Sequence, residues 1–124
     1  MPTREIPKSE WRTFFESFSL QHKGWLVSIE VLGTDIGAQV EARDLPLAGI
    51  TAIADSQSGD SLQIFVGESA DVHLSHTVAQ PDYVAIKQTE EGADEALEIK
   101  SEDGMITLVR FRSAMPVEMV DSLY

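Results

Sequence analysis

From Trp11 onward the apolar residues recur with a helical period. Trp11, Phe14, Phe15 and Phe18 fall at i, i+3, i+4 and i+7, while Arg12, Thr13, Glu16 and Ser17 point the other way. The pattern predicts an amphipathic helix over residues 9–22. Ser9 is its expected N-cap, Glu10 puts a carboxylate in the first turn, and Gly24 after Lys23 supplies the stop. Covering four aromatic side chains is worth about 6–12 kcal/mol of transfer free energy, so the stripe is expected to dock on a sheet.

After Gly24 the period falls to two. Trp25, Val27, Ile29 and Val31 alternate with Leu26, Ser28, Glu30 and Leu32, as in a strand with one buried face. Further segments of this kind follow at short spacing, and strands are predicted at about 25–32, 38–43, 49–54, 61–66, 72–78, 83–89, 95–101 and 105–112. The GTDIG segment (33–37) reads as a turn, and Asp103-Gly104 is the strongest hairpin signal. DLPLAG (44–49) reads as a loop because of Pro46 and Gly49, with Leu45 and Leu47 tucked inward. The tail from Ser113 to Tyr124 contains Pro116 and is compatible with either a last short helix or none. The expected fold is α+β in a single domain, 1–124. An N-terminal amphipathic helix packs on a curved, mainly antiparallel sheet of seven to eight strands, either open or closed into a small barrel.

Composition narrows the chemistry. The chain has 124 residues, 43% hydrophobic and 24% charged, which is the balance of one globular domain. It has no Cys, so thiol catalysis, zinc–thiolate sites and disulfides are excluded, and it has no Asn. Acidic residues outnumber basic ones 21 to 9, for a net charge of −12. Phosphate binding runs on Lys and Arg, so neither nucleic acid nor an anionic membrane is an expected partner. The N-terminus is charged and broken by Pro2 and Pro7, unlike a secretory signal, and no apolar run approaches the roughly 20 residues that span a bilayer. The expected location is the cytoplasm.

The segments REIPKSEW, FFESFS, GAQVEARDLPL, EGADEALEI and VRFRS, taken together over residues 3–113, resemble a family of small bacterial proteins designated a domain of unknown function. The resemblance implies a bacterial, cytoplasmic protein. That family has no assigned activity, so it transfers no residue role.

His73 and His76 lie three apart, a spacing that converges on a helix but diverges on a strand, where His76 falls with Leu74 and Val78 and His73 on the other face. His76 is therefore the candidate for general acid–base work, against the plainer reading of a hydrogen-bonded core or rim histidine. The run ADSQSGDS (54–61) departs from a calcium loop: Gln57 replaces an acid, and Gly59 and Asp60 are out of register. Neither a metal nor a cofactor is expected. Seven acids, Glu90, Glu91, Asp94, Glu95, Glu98, Glu102 and Asp103, form a candidate partner surface or, more plainly, a solvated hairpin edge. Arg110 and Arg112 share one face of the last strand and are candidate anion contacts, or cross-strand partners for those acids.

No phosphate loop, dinucleotide fingerprint or G-x-S-x-G elbow is present. The sequence favours a non-enzymatic acidic interaction or binding module that engages a protein partner or self-associates. The alternative is a small-ligand-binding protein or hydrolase-like enzyme with a pocket between helix and sheet, near His76 and Arg110.

Overall fold

The computed structural model describes residues 3–33, 37–54, 59–67 and 73–115, with side chains through Arg112. The middle of the 33–37 turn, Gln57 in the acidic run and the tail beyond Met115 lie outside the described residues. The elements are β1 (Thr3–Glu5), a 3₁₀ turn (Lys8–Glu10), α1 (Trp11–His22), β2 (Leu26–Gly33), β3 (Gly37–Ile53), β4 (Ser61–Gly67), β5 (His73–Ala79), β6 (Pro81–Gln88), β7 (Asp94–Ser101) and β8 (Ile106–Met115). The fold is α+β and mostly sheet. The strand order is β1-β6-β7-β8-β2-β3-β4-β5, antiparallel throughout. Among the described residues no ladder joins β1 to β5, so the sheet does not close into the small barrel held open as an alternative.

The alternation that marks the strands places one row of side chains in a common core. Val27 and Ile29 of β2, Leu62, Ile64 and Val66 of β4, Leu97 and Ile99 of β7 and Val109 of β8 are all buried there, so the sheet curls around one interior. α1 contributes Trp11, Phe15 and Phe18 to the same cluster, with Phe14 packed against its margin. Among the described residues no helix is long and apolar enough to cross a membrane.

Two readings of the chain are corrected. The helix begins at Trp11, not Ser9, and no side-chain cap bond is made at its start. Trp11 Nε1 donates to the carbonyl of buried Ile6 at 2.8 Å, which draws the chain into a tight 3₁₀ turn after Pro7 and leaves Ser9 inside that turn. The segment 44–49 is strand, not loop. β3 runs through it because it changes partners there, pairing with β2 up to Pro46 and with β4 from Leu47. Pro46, which has no N–H, sits at that exchange opposite Leu26.

α1 lies along the outer edge of the second half of β3 and completes its backbone hydrogen bonds. Ser19 Oγ accepts from the Ile50 N–H at 2.9 Å and donates to the Ile50 carbonyl at 3.1 Å. Leu47 is held the same way, its N–H donating to Trp25 O and its carbonyl accepting from Gly24 N–H, each at 2.8 Å. The helix thus stands where a further strand would pair.

Candidate functional site

The aromatic stripe of α1 continues one step beyond Phe18, to His22 at i+4, and this residue is 1% exposed. Its ring stacks on Phe18 and Phe111, at centroid distances of 4.1 and 5.1 Å, and meets Trp25 edge-on at 4.5 Å. Nδ1 lies 2.9 Å from the Phe18 carbonyl and Nε2 lies 2.7 Å from Asp94 Oδ2. Gln88 Nε2 donates to the other carboxylate oxygen, Oδ1, at 2.8 Å. Burial on its own would lift the Asp94 carboxyl; hydrogen bonds from His22 and Gln88, with the charges of His22 and Arg4, outweigh it and hold the group below the ordinary carboxylate range. Both ring nitrogens therefore lie within hydrogen-bond distance of a protein oxygen, and the ring is held between the helix carbonyl and the Asp94 carboxylate. Neither nitrogen is left to take a proton from a substrate, so the pair pins α1 to the start of β7.

Outside this pair is a groove of about 450 Å³ between α1 and the β1–β6 side of the sheet, walled by Arg4, Thr13, Phe14, Ser17, Gln21 and Gln88. It is a pocket between helix and sheet, but its histidine is His22 rather than His76. His76 sits on β5 opposite Ile64 and is half-buried. Burial lowers its pKa from the ordinary value, against the opposing influence of Glu41. It lies on the core side of the sheet, whereas Arg110 alternates with buried Val109 and Phe111 and so faces outward. The two do not converge. Among the described residues no group of three or more His, Asp or Glu is arranged to hold a metal ion.

The seven candidate surface acids are not one surface. Asp94 is 5% exposed and belongs to the core pair, which corrects its place among the solvated acids: a register shift between Asp94 and Ala96 in the pairing with β8 accompanies its inward position. Glu90 and Glu91 are exposed at one end of β7, and Glu102 and Asp103 at the other, where Asp103 accepts a hydrogen bond from Met105 N–H. Glu98 is half-buried and lies 3.9 Å from Lys87. Glu95 is half-buried, with Oε2 enclosed and without a hydrogen-bond partner among the described residues.

The arginines gather more closely than the acids. A concavity of about 360 Å³ on the outer face of the sheet is lined by Arg43, Arg110 and Arg112 together with Ser28, Glu30 and Asp44. Arg110 lies directly across from Ser28, and its Nε is 3.4 Å from Glu30 Oε1. Arg43 arrives by a bulge. Between the pairs Val27↔Leu45 and Ile29↔Ala42, the single residue Ser28 faces both Arg43 and Asp44. The extra residue is accommodated by Asp44 at φ +51°, and its N–H donates to Ser28 Oγ at 3.2 Å. Arg43 and Arg112 are exposed, and among the described residues neither has an ion-pair partner. The i, i+2 spacing of Arg110 and Arg112 is visible in the sequence. Arg43 joins them only through a bulge that no periodicity announces.

Comparison with known proteins gives two matches. A family model described as a family of unknown function, DUF5335, covers residues 2–120. A relative from Aquifex aeolicus (strain VF5), described as an uncharacterized protein, is 27% identical over 117 residues, 94% of this chain and 98% of the relative. No solved structure matches.

Proposed function

We propose that this chain, which belongs to the DUF5335 family, is a non-enzymatic binding module that takes a small carboxylate- or phosphate-bearing ligand between Arg43, Arg110 and Arg112. The observation that carries the reading is the unpaired state of Arg43 and Arg112. Three guanidinium groups meet two carboxylates in the concavity, and Glu30 engages Arg110, so positive charge is in excess there in a chain with 21 acids against 9 bases. A guanidinium fork matches a carboxylate or phosphate bidentately, and an anion seated among three of them would relieve their mutual repulsion.

The backbone supports the same reading. A non-glycine residue in the left-handed region costs about 1–2 kcal/mol, and Asp44 adopts it where the bulge turns Arg43 toward the concavity. Repulsion by the overall charge of −12 is screened beyond a Debye length of about 8 Å and scales with the charge of the ligand, so it weighs on a polyanion far more than on a small anion. The ligand class is therefore small anions rather than nucleic acid or an anionic membrane. Catalysis has less support, because both nitrogens of His22 are committed to protein acceptors.

The test is titration of the full chain with inorganic phosphate and, separately, succinate, followed by amide NMR. Saturable shifts at Ser28, Asp44 and Arg110 with millimolar or tighter affinity are expected, weakened at least about tenfold in Arg43→Gln and Arg112→Gln. Absence of a saturable response to both probes, or equal binding by both variants, overturns the reading. A bacterial, cytoplasmic setting belongs to this proposal; the Aquifex relative supports its bacterial part, and cell fractionation tests the rest.

A further inference from the structure

We infer that β5 is a self-pairing edge: it adds antiparallel to β5 of a second copy, joining two sheets into one. The inference is independent of the anion site.

An unpaired strand edge presents a row of backbone N–H and C=O groups, and proteins normally cover such edges, charge them or keep them short. The other edges here follow that rule. β1 is three residues long and carries Arg4 and Glu5. The first half of β3 carries Glu41 and Arg43 beside exposed Val40, and the second half is covered by α1 and the turn that follows it, through Ser19, Gly24 and Trp25. β5 follows none of it. It runs for seven residues, HLSHTVA, with no Asp, Glu, Lys, Arg or Pro, and among the described residues it pairs only with β4. Leu74 is 37% exposed on it. In a molecule of net charge −12, an uncharged strand is also where two copies approach with least repulsion.

The sequence of the edge complements itself. In an antiparallel pair centred on His76, Leu74 of one copy faces Val78 of the other, Ser75 faces Thr77, and His73 faces Ala79. Leu74 and Val78 lie opposite Val66 and Leu62 of β4, so their row, with His76 facing its own copy at the two-fold axis, would extend the core-side face from one copy to the other. Ser75 and Thr77 occupy the other face and would pair through hydroxyls. A second copy is thus the occupant that fits in both rows at one register. The two-fold relation closes the assembly at a dimer through this edge.

The experiment uses sedimentation of the full chain across concentration, with two double variants at exposed positions, Ser75→Lys/Thr77→Lys and Ser75→Glu/Thr77→Glu. The wild type is expected to dimerise reversibly. Each variant, with like charges placed opposite one another, should raise the dissociation constant at least about tenfold while its circular dichroism stays unchanged. An equimolar mixture of the two variants should recover the dimer. A wild type that stays monomeric at high micromolar concentration overturns the inference, and protection of the β5 amides from exchange in that monomer would assign the edge to a segment of the same chain. Dimers that persist in both variants, or variants that fail to recombine, overturn it as well.

Discussion

His22 and Asp94 lie 72 residues apart in sequence and meet through a 2.7 Å hydrogen bond inside the core. A buried polar pair in such a place adds little over an apolar pair, but removing one partner leaves the other without its hydrogen bond. Asp94→Ala should therefore lower the unfolding free energy by about 1–3 kcal/mol, read from urea denaturation. The double variant His22→Phe/Asp94→Leu should cost less than Asp94→Ala alone. A double variant that loses more would show the pair to be stabilising in its own right.

The same pair sets an acid limit. The Asp94 carboxyl is held below its ordinary value of 3.8 in the folded chain, so its contribution to stability is complete above that value and disappears as pH falls through the folded one. Asp94→Asn should be less stable than wild type at neutral pH, with the gap narrowing below about pH 4. His76 works at higher pH. Burial depresses its folded value below 6.5, so its contribution is full above 6.5 and declines as pH falls from there. Unfolding measured between about pH 5 and 7 should show a positive slope with pH that is reduced in His76→Gln.

Ser19 tests whether α1 closes the β3 edge. Its hydroxyl satisfies both backbone groups of Ile50, so Ser19→Ala leaves two peptide groups without their partner. A loss of about 1–3 kcal/mol is expected, against less than about 0.5 kcal/mol for Ser17→Ala on the exposed face of the same helix. Thermal denaturation of the two variants side by side makes the comparison. Equal losses would mean that the helix is held by its aromatic face alone.

Asp44 separates backbone strain from side-chain chemistry. At φ +51° a glycine is unstrained and a β-branched residue is not. Asp44→Gly should equal or exceed the wild type in stability, while Asp44→Val should lose about 1–2 kcal/mol. Chemical denaturation decides it, and a destabilised glycine variant would show that the Asp44 carboxylate itself holds the bulge.

What the chain discloses before it folds follows from how local each cause is. The helix and the alternating strands are carried by side chains within one or two turns of each other, as in Trp11 to Phe18 and Trp25 to Val31, so periodicity finds them. β1 is not found this way, because Thr3, Arg4 and Glu5 are all exposed and hold their place through pairing with β6, 80 to 84 residues later. Pro46 reads as a loop because the exchange of partners that accommodates it is a property of β2 and β4, not of its neighbours. The arginine cluster is half visible: Arg110 and Arg112 share a strand face, but Arg43 enters from another strand. His22 carried a signal that was available, its i+4 position after Phe18. Asp94 carried none, since its seclusion depends on the helix end that seeks it out.

β3 belongs to both arms of the curled sheet, hydrogen-bonded to β2 along its first half and to β4 along its second. Neither arm can open alone without fraying the ribbon on which the other is built. The molecule is therefore expected to melt in one concerted step, with its slowest-exchanging amides sharing a single opening energy on both sides of Pro46. One cut within this strand would release both arms together.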